Sequence, residues 1–279
     1  MTSPPRPRKS NLDLWAGLCV LIVVIAVGFT GFVTPGFFRS HDKIDAIAFP
    51  STPASTPPPT SATAPANVPP SAVAPIPRRP VALPGSVDCV FPAAPDAPAA
   101  KAATAPPDGP ASTTGTATVT FGTTAGDIGL TLVRELAPCT VVNFLSLAKQ
   151  GFYTGTSCHR LATEDTLQML QCGDPTSTGT GTPGYTFKDE TFPELTYGRG
   201  LLAMANAGPD TNGCQFFMIL GSAELPPSYT VFGTISDDGL RTLDKVAAGG
   251  IDPASAQANQ DGTGKPVIPV TFTAVTTGP

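Results

Sequence analysis

Residues 201–220 read LLAMANAGPDTNGCQFFMIL, with an apolar run on either side of a polar segment. The runs at 201–205 and 216–220 have the length and apolar composition of buried strands. Asn206 and Gly208, between them, are residue types that favour turns. The stretch therefore predicts two strands of a β-rich domain, separated by a polar loop.

Shorter runs on both sides of this stretch predict the rest of the domain. Six further strand candidates are short apolar or alternating segments, at residues 116–121, 127–132, 158–161, 167–172, 231–235 and 267–274. Val141, Phe144 and Ala148 recur at helical spacing between Pro138 and Gly151, and residues 240–247 form a second helix candidate. The fold class is therefore mainly β, a closed eight-stranded antiparallel barrel capped by two helices and formed by residues 114–279.

The composition argues against several classes of protein. The chain of 279 residues has a net charge of -5 and no long basic run, so we expect no nucleic-acid partner. Its two histidines, His41 and His159, are too few for a histidine-built metal centre. No serine or cysteine pattern around His159 suggests a nucleophile, so we assign His159 a structural role.

Residues 14–33, LWAGLCVLIVVIAVGFTGFV, carry no charge and are long enough to cross a bilayer as a helix. Basic residues before this segment place residues 1–13 in the cytoplasm and the remainder outside the cell membrane. The alternative is a cleaved signal peptide with a processing site near Ala46 and Ala48, which would release a secreted protein.

Residues 34–113 are predicted to be a disordered extracytoplasmic linker rich in proline, alanine and threonine. Residues 50–110 hold 18 of the 33 prolines and few aromatic residues, so we expect no core there. A docking ligand for proline-binding modules is the alternative interpretation.

Five cysteines follow the predicted span, where disulfides persist. We predict two bridges and one free thiol. Cys158 and Cys172 flank a short hairpin and could face each other, while Cys89 needs a partner that ties the linker to the domain. Unpaired buried thiols are the alternative.

The runs Met204 to Pro209 and Asn212 to Phe217, MANAGP and NGCQFF, closely resemble the signature of the cyclophilin-type peptidyl-prolyl isomerases. The resemblance covers about residues 117–276. With the predicted span and linker, the chain is similar to membrane-anchored actinobacterial cyclophilins. The resemblance implies a cyclophilin-like barrel, isomerase activity on proline-containing polypeptides, and no cofactor.

The resemblance also implies the site. The family's substrate-contacting positions fall on Arg160, Met169, Gln171, Ala205, Asn206, Gln215, Phe217, Leu225 and Tyr229. Rotation about an X-Pro amide breaks no bond, so a catalyst needs a donor aimed at the amide and an apolar slot for the ring. Arg160 is the catalytic candidate because its guanidinium stays protonated. Met169, Phe217 and Leu225 would line the slot, Gln171 would orient Arg160, and the backbone of Asn206 would hold the peptide.

Two departures from the family pattern affect the slot. The loop at 162–167 is longer than in familiar eukaryotic members, and Gln168 stands where a pocket phenylalanine is usual. The usual tryptophan before Leu225 is missing, which implies weak cyclosporin binding. Tyr229 stands where many members carry histidine and bacterial members often carry tyrosine.

Each site residue also has a non-functional interpretation. Taken alone, Arg160 would be a surface ion pair, and Met169, Phe217 and Leu225 would be core residues. We predict a peptidyl-prolyl cis-trans isomerase acting on secreted or envelope proteins. The alternative is a proline-peptide-binding chaperone or adaptor with little turnover.

Overall fold

The computed structural model describes residues 72–259 and 261–278. Within these ranges, no helix combines the length and the apolar character needed to cross a bilayer. The predicted N-terminal segment at 1–13, the predicted span at 14–33 and the first part of the predicted linker lie outside the described residues.

The described residues form ten strands and three helices. The strands are β1 (Ser86–Cys89), β2 (Gly109–Ser112), β3 (Thr116–Thr123), β4 (Ile128–Val133), β5 (Arg160–Glu164), β6 (Leu167–Cys172), β7 (Leu201–Met204), β8 (Phe216–Ala223), β9 (Val231–Ile235) and β10 (Phe272–Gly278). The helices are α1 (Pro138–Lys149), α2 (Asp237–Ala248) and α3 (Pro253–Asn259). Every predicted strand and both predicted helices overlap one of these elements; α3, β1 and β2 were not predicted.

Strands β3 to β10 form one antiparallel sheet in the order β10-β3-β4-β9-β7-β8-β6-β5. Its two edges, β5 and β10, share no ladder among the described residues, and isolated bridges from Ser157 to Thr271 and from Leu161 to Gly264 link the chain beside them. The sheet is therefore a curled half-barrel. The predicted mainly β, eight-stranded antiparallel architecture is confirmed, whereas the described strands do not close into the predicted barrel.

Alternation of side chains directs the core to the inside of this sheet. In β3, Ala117, Val119 and Phe121 are buried while the residues between them are exposed. The predicted apolar face of helix α1 packs against these buried side chains, and the ring centroids of Phe121 and Phe144 lie 6.1 Å apart. Gly151, at φ 68°, ends the helix in the left-handed conformation that favours glycine.

The predicted linker differs from the structure in its carboxyl-terminal part. Strands β1 and β2 pair antiparallel within it, and Cys89, Phe91 and Ala111 are buried in the main core. Arg79 donates through Nη2 to the carbonyl oxygens of Leu136 and Glu190, both at 2.7 Å. The prediction of a disordered linker is therefore wrong for residues 79–113, because a few apolar and cysteine side chains anchor this stretch on the core of the domain despite its proline content.

The predicted number of disulfides is confirmed. Cys89 is bonded to Cys139 and Cys158 to Cys172, while Cys214 is a free, buried thiol. Burial raises the pKa of the Cys214 thiol. The first bridge ties the segment that contains β1 and β2 to α1, and the second joins the chain just before β5 to the end of β6.

Candidate functional site

The strand register places three predicted site residues in one row. Arg160 pairs with Gln171 across β5 and β6, and Gln171 pairs with Phe217 across β6 and β8. Residues directly opposed in adjacent strands have side chains on the same face of the sheet. Arg160 and Phe217 therefore lie on the same face, two strands apart. Met169, two residues before Gln171 on β6, shares that face.

A chain of side-chain hydrogen bonds runs along this row. Arg160 donates through Nη1 to Gln171 Oε1 at 3.4 Å, and Gln171 Nε2 donates to Gln215 Oε1 at 2.9 Å. Gln215 Nε2 in turn donates to the carbonyl oxygens of Gly179 and Gly181, at 2.9 and 3.0 Å. Gln171 thus contacts Arg160 directly and links it to Gln215.

Arg160 also contacts the chain before β10. Its Nε donates to Thr263 Oγ1 at 3.0 Å, and its Nη2 lies 3.3 Å from Asp261 Oδ2. The Arg160 and Asp261 side chains are 35% and 50% exposed, so this ion pair is solvated and contributes little to stability. Arg160 therefore does form a surface ion pair, and this pair coexists with the contact to Gln171.

The apolar members of the predicted site pack beside this row. Met169 and Phe217 are almost fully buried, at 3% and 5% exposed, whereas Leu225 and Tyr229 are partly buried against the core. The Phe217 and Tyr229 rings meet edge to face with centroids 5.6 Å apart. The burial of Met169 and Phe217 agrees with the core interpretation. Leu225 and the Tyr229 ring are only partly buried, so part of their apolar surface is accessible to solvent.

Tyr197 is a supporting residue that the sequence analysis missed. Its hydroxyl donates to the carbonyl oxygen of Tyr229 and accepts from the Tyr229 N–H, both at 2.9 Å. Burial raises the pKa of Tyr197 to about 12, so the hydroxyl stays protonated at neutral pH. These two bonds fix the backbone that carries the Tyr229 ring.

Asn206 lies two residues after the end of β7, just beyond the ladder with β8. Its side-chain Nδ2 donates to the carbonyl oxygen of Ser228 at 2.8 Å, and its Oδ1 accepts from the Gly208 N–H at 3.3 Å. The neighbouring Ala205 N–H donates to the carbonyl oxygen of Gln215. Among the described residues the main-chain N–H and carbonyl of Asn206 have no hydrogen-bond partner, so both are available to a peptide laid alongside.

Asp174 is a second residue that the sequence analysis missed. It is completely buried, and its carboxylate accepts hydrogen bonds from the N–H groups of Thr176, Thr178 and Gly179. Burial alone would raise the pKa of Asp174, but the bonds from Thr176, Gly179 and Gly181 outweigh it and lower the pKa. Asp174 therefore fixes the loop whose carbonyl oxygens hold Gln215. The available signal was an aspartate followed by threonine and glycine, a pattern that favours such side-chain-to-backbone turns.

Gln168, which departs from the family pattern, and His159, to which we assign a structural role, are both buried. Gln168 is 5% exposed, and its Oε1 accepts from the Ser222 N–H at 3.1 Å, where the β6–β8 register shifts. His159 is buried with no hydrogen-bond partner for either ring nitrogen among the described residues, and burial lowers its pKa.

Residues 118–276 match the family model described as cyclophilin type peptidyl-prolyl cis-trans isomerase/CLD, and the chain belongs to this family. It is 52% identical over 169 residues to the "Probable peptidyl-prolyl cis-trans isomerase B" of Mycobacterium tuberculosis, covering 56% of this chain and 53% of that protein. It is 39% identical over 182 residues to the "Peptidyl-prolyl cis-trans isomerase A" of the same species, covering 58% of this chain and 92% of that protein. A solved Cryptosporidium parvum cyclophilin type peptidyl-prolyl cis-trans isomerase matches 59% of this chain and 99% of its own, at 31% identity and a TM-score of 0.49.

The chain spans about half the length of the isomerase B relative. The family match begins at residue 118, so residues 72–113 lie outside it. The pairing of β1 with β2 and the Cys89–Cys139 bridge therefore add a segment to the family domain in this chain.

Proposed function

We propose that this protein is a peptidyl-prolyl cis-trans isomerase that uses Arg160 as its catalytic residue. The observation that carries the proposal is the row of Arg160, Gln171 and Phe217 on one sheet face, with a charged donor at one end and an aromatic side chain at the other. Membership of the cyclophilin family supports the same activity.

The chemistry requires no covalent step. An X-Pro amide resists rotation with a barrier of about 18–20 kcal/mol, because the nitrogen lone pair is conjugated with the carbonyl. In the twisted state that conjugation is lost and the nitrogen becomes a hydrogen-bond acceptor. Arg160 would donate to it there and bind it weakly in the planar ground state, and only such a difference in binding accelerates the reaction.

The remaining residues would position the peptide. Phe217, Leu225 and Tyr229 would hold the proline ring, and the unpaired main-chain groups of Asn206 would bind the peptide backbone as an added strand. A 10⁵-fold acceleration corresponds to about 7 kcal/mol. A hydrogen bond to a charged group contributes about 1.5–3 kcal/mol, so most of the remainder must come from this positioning.

We propose further that the protein acts outside the cell membrane on secreted or envelope proteins, held by residues 14–33. The apolar composition of that segment supports a single membrane span, and the two disulfides of the domain favour an oxidising compartment. Cleavage of the segment would give a secreted form with the same substrates. Because Glu224 stands before Leu225 instead of tryptophan, cyclosporin should bind weakly.

The test compares the protein with its Arg160→Ala variant and with Arg241→Ala as a matched control. Arg241 is an exposed arginine whose ion pair is with Asp238 on α2. Rates of cis-trans exchange on a proline tetrapeptide are measured together with peptide affinity by NMR exchange spectroscopy. We expect Arg160→Ala to lower kcat/KM about 100-fold, by analogy with the loss of one electrostatic donor, and to change affinity much less.

Arg241→Ala should behave as the parent does. A parent protein that binds the peptide without accelerating exchange would overturn the proposed activity in favour of a binding module. Equal losses in both arginine variants would overturn the role of Arg160 alone.

A further inference from the structure

Residues 91–104, here called the strap, run beside residues 174–186, the loop after β6. The Gly179 and Gly181 carbonyl oxygens of this loop accept hydrogen bonds from Gln215. The Thr186 N–H donates to the Pro92 carbonyl oxygen at 3.1 Å, and the Ala94 N–H donates to the Gly184 carbonyl oxygen at 2.9 Å. The Ala100 N–H donates to the carbonyl oxygen of Thr182 at 3.0 Å. The strap is therefore held to this loop along its length, although it lies outside the residues matched to the family.

The loop is fixed from two sides. On the outside, Thr182 Oγ1 donates to the Ala97 carbonyl oxygen at 2.8 Å. On the inside, Asp174 accepts from the Gly179 N–H, and Gln215 Nε2 donates to the Gly181 carbonyl oxygen. Since both sides are bonded, the spacing between the strap and Gln215 is set by the fold.

A cavity of about 370 Å³ lies between the strap and the candidate site. Ala97 belongs to its lining on the strap side, whereas Gln171, Gln215 and Asn206 line it on the side of the site. Its other lining residues are small, aromatic or uncharged polar residues, and none of them carries a charge. A neutral side chain fits this surface, while a buried charge would have no partner there.

We infer that Ala97 is a specificity-determining residue, which limits the size of the neutral substrate side chain that this cavity accepts beside the proline. The inference rests on the proposed function, because the cavity shares Gln171, Gln215 and Asn206 with the proposed peptide site. Since a methyl group is the smallest side chain that forms a wall, enlarging it should exclude large substrate side chains first. One methylene in an apolar pocket changes discrimination by about tenfold or more.

The experiment uses the full chain, its Ala97→Val and Ala97→Leu variants, and tetrapeptides in which alanine, leucine or phenylalanine occupies each position flanking the proline in turn. We expect one position to respond. At that position, both variants should lower kcat/KM for the leucine and phenylalanine peptides. The loss should be larger for Ala97→Leu, about tenfold, than for Ala97→Val. The loss should come from KM, and the alanine peptide should be turned over at the parent's rate.

Ala102→Leu is the matched control, because Ala102 is an exposed alanine of the same strap that does not line the cavity. Thermal unfolding of every variant verifies the fold, and Ala97→Val provides the milder change. Equal losses for all peptides, or the same size dependence in Ala102→Leu, would overturn the inference. Peptide affinities are measured by NMR in parallel. A parent that binds with the expected size dependence but does not accelerate exchange would therefore overturn the proposed activity and support the role of Ala97.

Discussion

Replacing both Cys89 and Cys139 with alanine should lower the free energy of unfolding by about 4 kcal/mol. The two cysteines are 50 residues apart in the sequence, and the loop-closure relation gives that value for a loop of this length. Cys158 and Cys172 are 14 residues apart, and the same relation gives about 3 kcal/mol for their bridge. The loss for the first pair should therefore exceed the loss for the second by about 1 kcal/mol.

The assay is urea unfolding of the parent and of the two double-alanine variants, followed by far-UV circular dichroism. The segment before residue 114 keeps other anchors without its bridge. Phe91 still packs edge to face on Tyr185 and Phe187, with ring centroids 6.2 and 5.7 Å away. We therefore expect a lower midpoint with the slope little changed, which indicates lost stability with the same folded surface. A smaller loss for Cys89 and Cys139 than for Cys158 and Cys172 would refute the loop-length reasoning.

Two further predictions concern the loop that Asp174 fixes and the proposed proline slot at Leu225. Asp174→Asn should be less stable than the parent by about 2 kcal/mol at pH 7, because it weakens charge-assisted hydrogen bonds. Since the pKa of Asp174 is lowered in the folded state, its contribution is present above the unfolded pKa of about 3.9 and is lost as pH falls through the folded pKa. Unfolding curves of the two proteins should therefore converge in acid, and a constant difference across pH would contradict this. Glu224→Trp should strengthen inhibition by cyclosporin about 30-fold, corresponding to the roughly 2 kcal/mol of a buried aromatic anchor, and an unchanged inhibition constant would exclude that position as the cause of weak binding.

The elements of the half-barrel could be predicted because their signals are local. Alternation over residues 116–121 depends on neighbours one or two positions away, and the helical spacing of Val141, Phe144 and Ala148 is equally local. The row formed by Arg160, Gln171 and Phe217 was predicted only through family resemblance. Its geometry depends on the register of β6 against β8, which pairs Gln171 with Phe217 more than 40 residues away, and no local pattern contains that register.

The segment at 79–113 was misjudged for a different physical reason. Its proline and alanine content predicts an extended chain with too little apolar surface for a core of its own, and that is consistent with the short, four-residue pairing of β1 with β2. An extended chain can still pack on a core that another segment supplies. Phe91, Cys89 and Arg79 are anchors of this kind, because each contacts a residue of the family-matched domain: Tyr185, Cys139 and Leu136 respectively.

The contact between Arg160 and Asp261 bears directly on whether Arg160 is available for catalysis. A tight, buried ion pair would hold the guanidinium away from a substrate, but this pair is solvated on both sides and spans 3.3 Å. Such pairs contribute about 0.2–1 kcal/mol, less than the roughly 1.5–3 kcal/mol of a hydrogen bond from a charged donor to a well-placed acceptor. An amide nitrogen that becomes an acceptor can therefore compete for the guanidinium. Gln171 and Thr263 hold its Nη1 and Nε, so that the proposed mechanism would need little reorganisation of the guanidinium as the amide twists.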